Sequence, residues 1–213
     1  MTVALRPPRD PARLARLKEQ RRQPGEAKLF FYDTQFGCEA VKVLPGEYFV
    51  HHEDLLMLTT LGSCIAVCLW DRTRRIGGLN HFMLPEGSGG EASGRFGGYA
   101  MELLINAMMK YGAARNSLEA KVFGGGRVIN GMDSMNVGER NTEFALDYLK
   151  TERIPVISKD VLDIYPRKVC FLPVSGKAMV KRLASGNTDA LLAQERASVR
   201  DIAPASGGSV DLF

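Results

Sequence analysis

The chain has no run of about 18 or more apolar residues, so nothing in it reads as a membrane-spanning helix. Its first residues are charged, carry Pro7, Pro8 and Pro11, and lack an apolar stretch; they do not read as a secretory signal. Cysteine is scarce. The four, at positions 38, 64, 68 and 170, form no CxxC pair and no Cys/His cluster at zinc spacing. That pattern predicts reduced thiols, a cytoplasmic setting and no metal. Histidine is scarcer, with only His51, His52 and His81. Phe123-Gly124-Gly125-Gly126-Arg127 is glycine-rich, but no GxxxxGK[ST] follows and no acidic residue is spaced as in a dinucleotide fold. There is no GxSxG elbow either, so Ser63 reads as a turn hydroxyl rather than a nucleophile.

What is present is an ordinary globular balance. The 213 residues are 45% hydrophobic and 24% charged, enough for one core. The net charge is +4, but residues 1–28 hold eight basic and three acidic residues, leaving −1 for the rest. The basicity thus belongs to an N-terminal arm, expected to be mobile with a short helix over Ala12–Gln20. A near-neutral body argues against nucleic acid as the main partner. Residues 184–213 are rich in Ser, Gly, Asn and Ala and read as a flexible tail, with a helical turn over Gln194–Arg200.

Between the tails, strand and helix signals alternate. Glu47–His51, Leu55–Thr60 and Ile65–Asp71 read as strands, the last a buried one. Asp71–Arg75 is a polar turn leading to a strand over Ile76–Leu84, which predicts a hairpin. Pro85 ends it, and Glu86–Gly98 reads as a glycine-rich loop. Tyr99, Ala100, Leu103, Leu104, Ala107, Met108 and Tyr111 then fall on one helical face, closed by Gly112. Ala120–Phe123 is a short strand, Glu139–Lys150 a second helix, and Ile154–Lys159, Lys168–Leu172 and Lys177–Arg182 closing strands. The fold class expected is α+β or layered α/β: one domain, mixed or antiparallel sheets, two main helices.

Leu58-Thr59-Thr60-Leu61-Gly62-Ser63-Cys64 places a cysteine at a loop–strand junction. There a thiol can face a cleft while its strand holds it, and backbone N–H groups of such a turn can form an oxyanion hole. Gly62 allows the backbone a close approach. The bland alternative is a cysteine acting as a small core hydrophobe. His81, inside an apolar strand, needs a partner. With the hairpin centred near residue 72, Cys64 and His81 come out opposite one another, about 5 Å apart at Cβ. A Cys–His pair so placed can share a proton. The bland alternative here is a core histidine bonded to a carbonyl. His51 and His52 read as surface residues, and Cys38, Cys68 and Cys170 as packing. The glycines at 124–126 read as a tight turn beside the cleft.

Leu61-Gly62-Ser63-Cys64 with Asn80-His81-Phe82-Met83-Leu84-Pro85 resembles the CheD family of chemoreceptor glutamine deamidases. Lys121-Val122-Phe123-Gly124-Gly125-Gly126, Asn136-Val137-Gly138-Glu139-Arg140-Asn141 and Ile154-Pro155-Val156 agree, so the resemblance spans roughly residues 45–183. It implies a layered α/β fold and a Cys-His-Thr set: Cys64, His81, and Thr59 or Thr60, with Thr59 favoured. It also implies an oxyanion site and cleft around Gly62, Ser63, Gly124 and Gly125, with no cofactor. The implied substrate is the cytoplasmic domain of a chemoreceptor, and a CheC-type phosphatase is the implied further partner. One departure is Val161-Leu162-Asp163-Ile164-Tyr165-Pro166, where members often carry glycines. Rival readings are a non-catalytic module docking on receptor or phosphatase, a cysteine peptidase or acyltransferase, and a redox sensor using Cys64 and Cys68.

Overall fold

Ile65–Asp71 (β5) is apolar at almost every position because both of its faces are covered. Ile65, Val67 and Leu69 pack against two helices, α2 (Glu91–Lys110) and α3 (Ser134–Thr151), through Met101, Leu104, Ala145 and Leu149. Cys64, Ala66 and Cys68 point the other way, into a layer with Met57, Leu61, Val169 and Phe171 of a second sheet. A strand's period of two divides its residues between the two cores.

The computed structural model describes residues 11–84, 91–128 and 134–183. Its remaining elements are α1 (Pro11–Glu19), β1 (Leu29–Asp33), β2 (Cys38–Lys42), β3 (Tyr48–His51), β4 (Leu56–Leu61), β6 (Ile76–Phe82), β7 (Leu118–Gly124), β8 (Val156–Val161), β9 (Arg167–Leu172) and β10 (Lys177–Arg182). The strands form two sheets of five, ordered β3-β6-β5-β7-β8 and β1-β2-β4-β9-β10. Both are mixed: β2 pairs β4 and β7 pairs β8 in parallel, while the other pairings are antiparallel. The layers run helices, first sheet, second sheet, as the expected layered α+β class requires.

Several expectations shift. The arm read as residues 1–28 divides: residues 11–28 are docked, with Leu17 and Ala27 buried and Arg13 paired with Glu39 and Glu53, whereas residues 1–10 lie outside the described residues. The domain also begins before residue 45, because β1 and β2 form a hairpin whose turn is capped by Asp33 Oδ1 accepting the Gln35 and Phe36 amides. Glycine misled the reading twice. The loop expected over Glu86–Gly98 is helix from Glu91 on, and a side chain on Gly97 would strike Phe144 and Leu84. α3 starts at Ser134 rather than Glu139, with Gly138 packed against Gly125 so closely that neither position has room for a Cβ. Both glycines serve close packing, not a turn. The tail over 184–213, its helical turn at Gln194–Arg200, and Pro85–Gly90 lie outside the described residues.

Candidate active site

Thr59 lies on the inward face of β4, in step with Met57 and Leu61, while Thr60 falls on the outward face and is half-buried. That alternation puts Thr59, not Thr60, on the side of His81. The Thr59 hydroxyl donates to the Val43 carbonyl at 2.7 Å, and its oxygen lies 2.8 Å from His81 Nδ1. A hydroxyl has one proton. With that proton committed to Val43, the oxygen accepts from Nδ1–H, which also lies 3.4 Å from the Val43 carbonyl. His81 is therefore the Nδ1–H tautomer, and its lone pair sits on Nε2. That nitrogen is buried and has no hydrogen-bond partner.

The backbone of His81 is fixed as firmly as its ring. Its amide donates to the Glu47 carbonyl at 2.9 Å, and its carbonyl accepts from the Gly46 amide at 2.7 Å. Burial is the largest influence on the imidazole and drives its pKa down to about 4, with the Val43 carbonyl pulling it back up. At neutral pH the ring is an uncharged base.

The hairpin register places His81 opposite Ala66, not opposite Cys64. The two-residue offset from the expected pairing arises at the turn, centred between Thr73 and Arg74. There Asp71 Oδ1 accepts the Thr73 and Arg74 amides and Arg75 takes φ 57. Cys64 still shares the face of His81, as its diagonal neighbour. The thiol is buried, 3.8 Å from Met83 Sδ, which also lies 3.6 Å from Ser63 Oγ.

Gly62, Ser63 and Cys64 form a turn whose three carbonyls are all held. Gly126 N–H donates to Gly62 O at 2.8 Å, Asn141 Nδ2 to Ser63 O at 2.8 Å, and Gly125 N–H to Cys64 O at 2.8 Å. The Gly125 amide is thereby committed and braces the cysteine from behind. Gly124 takes φ 114, and a side chain there would collide with the Cys64 carbonyl. Gly124 and Gly125 thus back the turn that carries Cys64. Asn141 and the Val43 carbonyl were missed by sequence reasoning. A backbone carbonyl carries no side-chain signal, and Asn141 falls inside a helix where polar residues usually face water.

Leu162 N–H in turn donates to the Gly124 carbonyl at 2.8 Å. Leu162 and Asp163 adopt φ of 64 and 70, a conformation glycine takes readily, in the segment where the family resemblance has glycines. Arg167, fully buried, holds this segment through Asp160 at 2.9 Å and the carbonyls of Tyr165 and Leu162.

The other histidines stand apart, on the far end of β3. His51 is buried rather than on the surface, packed against Phe49, His52 and Tyr111, and burial takes its pKa down to about 4. Cys68 and Cys170 are buried, as expected for packing, and Cys38 is half-buried. Among the described residues no group of three or more His, Cys, Asp or Glu side chains is placed to hold a metal ion. No helix among them is long and apolar enough to cross a membrane.

A family model described as CheD chemotactic sensory transduction matches residues 83–182, just beyond His81. Relatives extend the likeness over both catalytic candidates. A probable chemoreceptor glutamine deamidase CheD 1 of Albidiferax ferrireducens is 60% identical over 204 residues, 95% of this chain and 87% of its own. Proteins of the same description from Dechloromonas aromatica and Shewanella oneidensis are 51% and 49% identical, each over 86% of this chain and 93% and 92% of their own. Among solved structures, the hypothetical protein YfiH of Bacillus licheniformis covers 55% of this chain and 51% of its own at 14% identity with a TM-score of 0.38, too low to bear on the fold. Identity of this degree, spread over nearly the full length and across the segments that carry Thr59, Cys64 and His81, has one meaning: the chain belongs to the CheD family.

Proposed function

We propose that this protein is a cytoplasmic chemoreceptor glutamine deamidase, with Cys64 as nucleophile, His81 as general base and acid, and Thr59 as the group that orients the imidazole. The observation that carries the reading is the state of His81: Nδ1–H is tied to Thr59, and Nε2 is left as a buried, uncharged base in the layer that holds Cys64. Nε2 takes the proton of the Cys64 thiol as sulfur attacks the side-chain carboxamide carbon of a receptor glutamine. A carbon–sulfur bond forms and the carboxamide oxygen gains negative charge. Backbone N–H groups of the Ser63–Cys64 turn meet that charge. The imidazolium returns its proton to the departing nitrogen, the carbon–nitrogen bond breaks, and ammonia leaves a thioester on Cys64. Water, deprotonated by Nε2, attacks the thioester, and the thiol is restored as glutamate departs. The hydrogen bond between Nε2 and the thiol forms when substrate engages, as catalytic hydrogen bonds are often made only in the substrate complex.

The same chemistry would hydrolyse a receptor glutamate methyl ester, since a thioester forms from either. A CheC-type phosphatase is a further partner on this reading. The deciding experiment incubates the protein with a receptor cytoplasmic fragment and maps glutamine-to-glutamate conversion by peptide mass spectrometry, beside Cys64→Ala and His81→Ala. Conversion at defined glutamines that is lost in both variants is expected. Conversion that survives Cys64→Ala overturns the assignment of the nucleophile.

A further inference from the structure

Met83 faces Cys64 across the open end of the β5–β6 hairpin. The register that sets Ile65 against Phe82 runs on past the last paired residues and puts Met83 opposite Cys64, the place that the expected pairing gave to His81. The Met83 Sδ lies 3.8 Å from Cys64 Sγ and accepts from the Ser63 hydroxyl at 3.6 Å. The side chain thus packs into the layer that holds the thiol.

Cys64 is fully buried, whereas Met83 is partly exposed. A carboxamide attacked by the sulfur has to come within about 3–3.5 Å of it. A neighbour of Sγ therefore has to yield before a glutamine reaches the thiol. The chain on either side of Met83 is anchored: Phe82 and Leu84 are buried in the helix-side core, and Asn141 Oδ1 holds the Leu84 amide at 2.9 Å. The Met83 side chain is better placed to move. It is unbranched, turns about three single bonds and borders solvent.

We infer that Met83 is a movable cover on the Cys64 thiol: closed in the free protein, it keeps small electrophiles from the sulfur, and it swings aside for the glutamine side chain of the substrate. The swing for glutamine rests on the deamidase reading above; the cover itself does not.

Iodoacetamide labelling at pH 7.5, followed by peptide mass, reads the cover, and kcat/KM for a receptor cytoplasmic fragment reads its displacement. Labelling of Cys64 proceeds in proportion to the time the cover is open, and a minor open state is populated about a tenth of the time or less. Met83→Ala should therefore label Cys64 about tenfold faster than wild type or more. Cys68, on the same face but four residues further in, should stay unlabelled. Met83→Ile keeps the bulk but is branched at Cβ, which restricts its rotation. It should label no faster than wild type and lose about tenfold or more in kcat/KM. Met83→Leu, branched at Cγ, is read in the same way should Met83→Ile not fold. Unchanged labelling in Met83→Ala overturns the cover, as does Cys68 labelling that rises with that of Cys64, which marks loosened packing. Full kcat/KM in Met83→Ile overturns the displacement. Wild-type protein that converts no receptor glutamine overturns the deamidase reading, and the swing for glutamine with it, while the labelling comparison still decides the cover.

Discussion

Cys64 and His81 stand on a diagonal: His81 sits opposite Ala66, and Cys64 lies two residues further along the same face of the sheet. Directly opposed side chains on paired strands have the shorter separation, and diagonal ones are reached only by longer side chains such as imidazole. The offset has a second consequence. It places Cys64 just outside the paired stretch of β5, which begins at Ile65, in a turn held by Asn141 and the 124–126 glycines. His81 is fixed by a sheet, and Cys64 by the contacts of a loop.

The orienting role proposed for Thr59 can be separated from its neighbour. Thr59→Val removes both the acceptor for Nδ1–H and the donor to Val43, and leaves the imidazole only a 3.4 Å contact to that carbonyl. kcat for receptor deamidation should fall roughly 10- to 100-fold, a part of the 10²–10⁴ that a positioned general base supplies. Thr60→Val, on the outward face, should stay within about twofold of wild type. The reverse order of damage would remove Thr59 from the site.

Burial of two neutral histidines makes stability depend on pH. In the unfolded chain both take a proton near 6.5; folded His81 and His51 do so only near pH 4, chiefly because burial disfavours the charged ring. Between those values the unfolded chain binds protons that the folded one refuses, so stability falls as pH drops from 6.5 toward 4 and is level above about 7.5. At pH 5 each histidine costs roughly 2 kcal/mol. Urea unfolding at pH 7.5 and pH 5.0 should show the difference, and His51→Gln should remove about half of it. Equal stability at the two pH values would contradict the burial of both rings. The acid limb of kcat/KM should likewise lie near pH 4 rather than near 6.5.

The sequence made the candidate pair Cys64 and His81 legible because chemistry and period coincide there: a thiol at the edge of a doubly buried strand, and a histidine where only apolar residues belong. It also carried the means to choose Thr59, since Met57, Thr59 and Leu61 share one face of β4. Three things were hidden. The hairpin offset depends on Arg75 adopting positive φ, which arginine does not advertise. Gly97 and Gly138 read as loop or helix start, yet both serve contacts between elements far apart in sequence. Val43 contributes through its backbone carbonyl, which its own side chain does nothing to mark.

Gly124 should tolerate no substitution. Its φ of 114 is costly for any L side chain, and a methyl group there would press on the Cys64 carbonyl. Gly124→Ala is expected to cost on the order of 2–4 kcal/mol in urea unfolding and to abolish deamidation even at temperatures where the protein stays folded. A variant of full activity and stability would mean that Gly124 does not hold the turn that carries Cys64.

Leu162 offers the opposite outcome. Its side chain is partly exposed and its φ of 64 is one that leucine adopts at a cost and glycine does not. Leu162→Gly should therefore be neutral or stabilising by up to about 1 kcal/mol, relief of strain being offset by the looser unfolded chain. A loss of more than about 2 kcal/mol would show that the leucine side chain packs more than its backbone strains.

Cys68 tests whether the thiols are set apart by position. It lies on the same face of β5 as Cys64, four residues further in, and burial pushes its pKa up strongly, with Lys121 acting weakly against it. A thiol held protonated is a poor nucleophile and a poor target for oxidants. Cys64 instead borders Met83, which is half-buried, and has the basic nitrogen of His81 in its own layer. Iodoacetamide at pH 7.5 should modify Cys64 and leave Cys68 untouched in the folded protein. Cys68→Ala should keep deamidation within about threefold at a stability cost of about 1 kcal/mol, while Cys64→Ala should have none. Faster labelling at Cys68, or activity that follows Cys68 rather than Cys64, would revive the redox reading and dismiss the hydrolytic one.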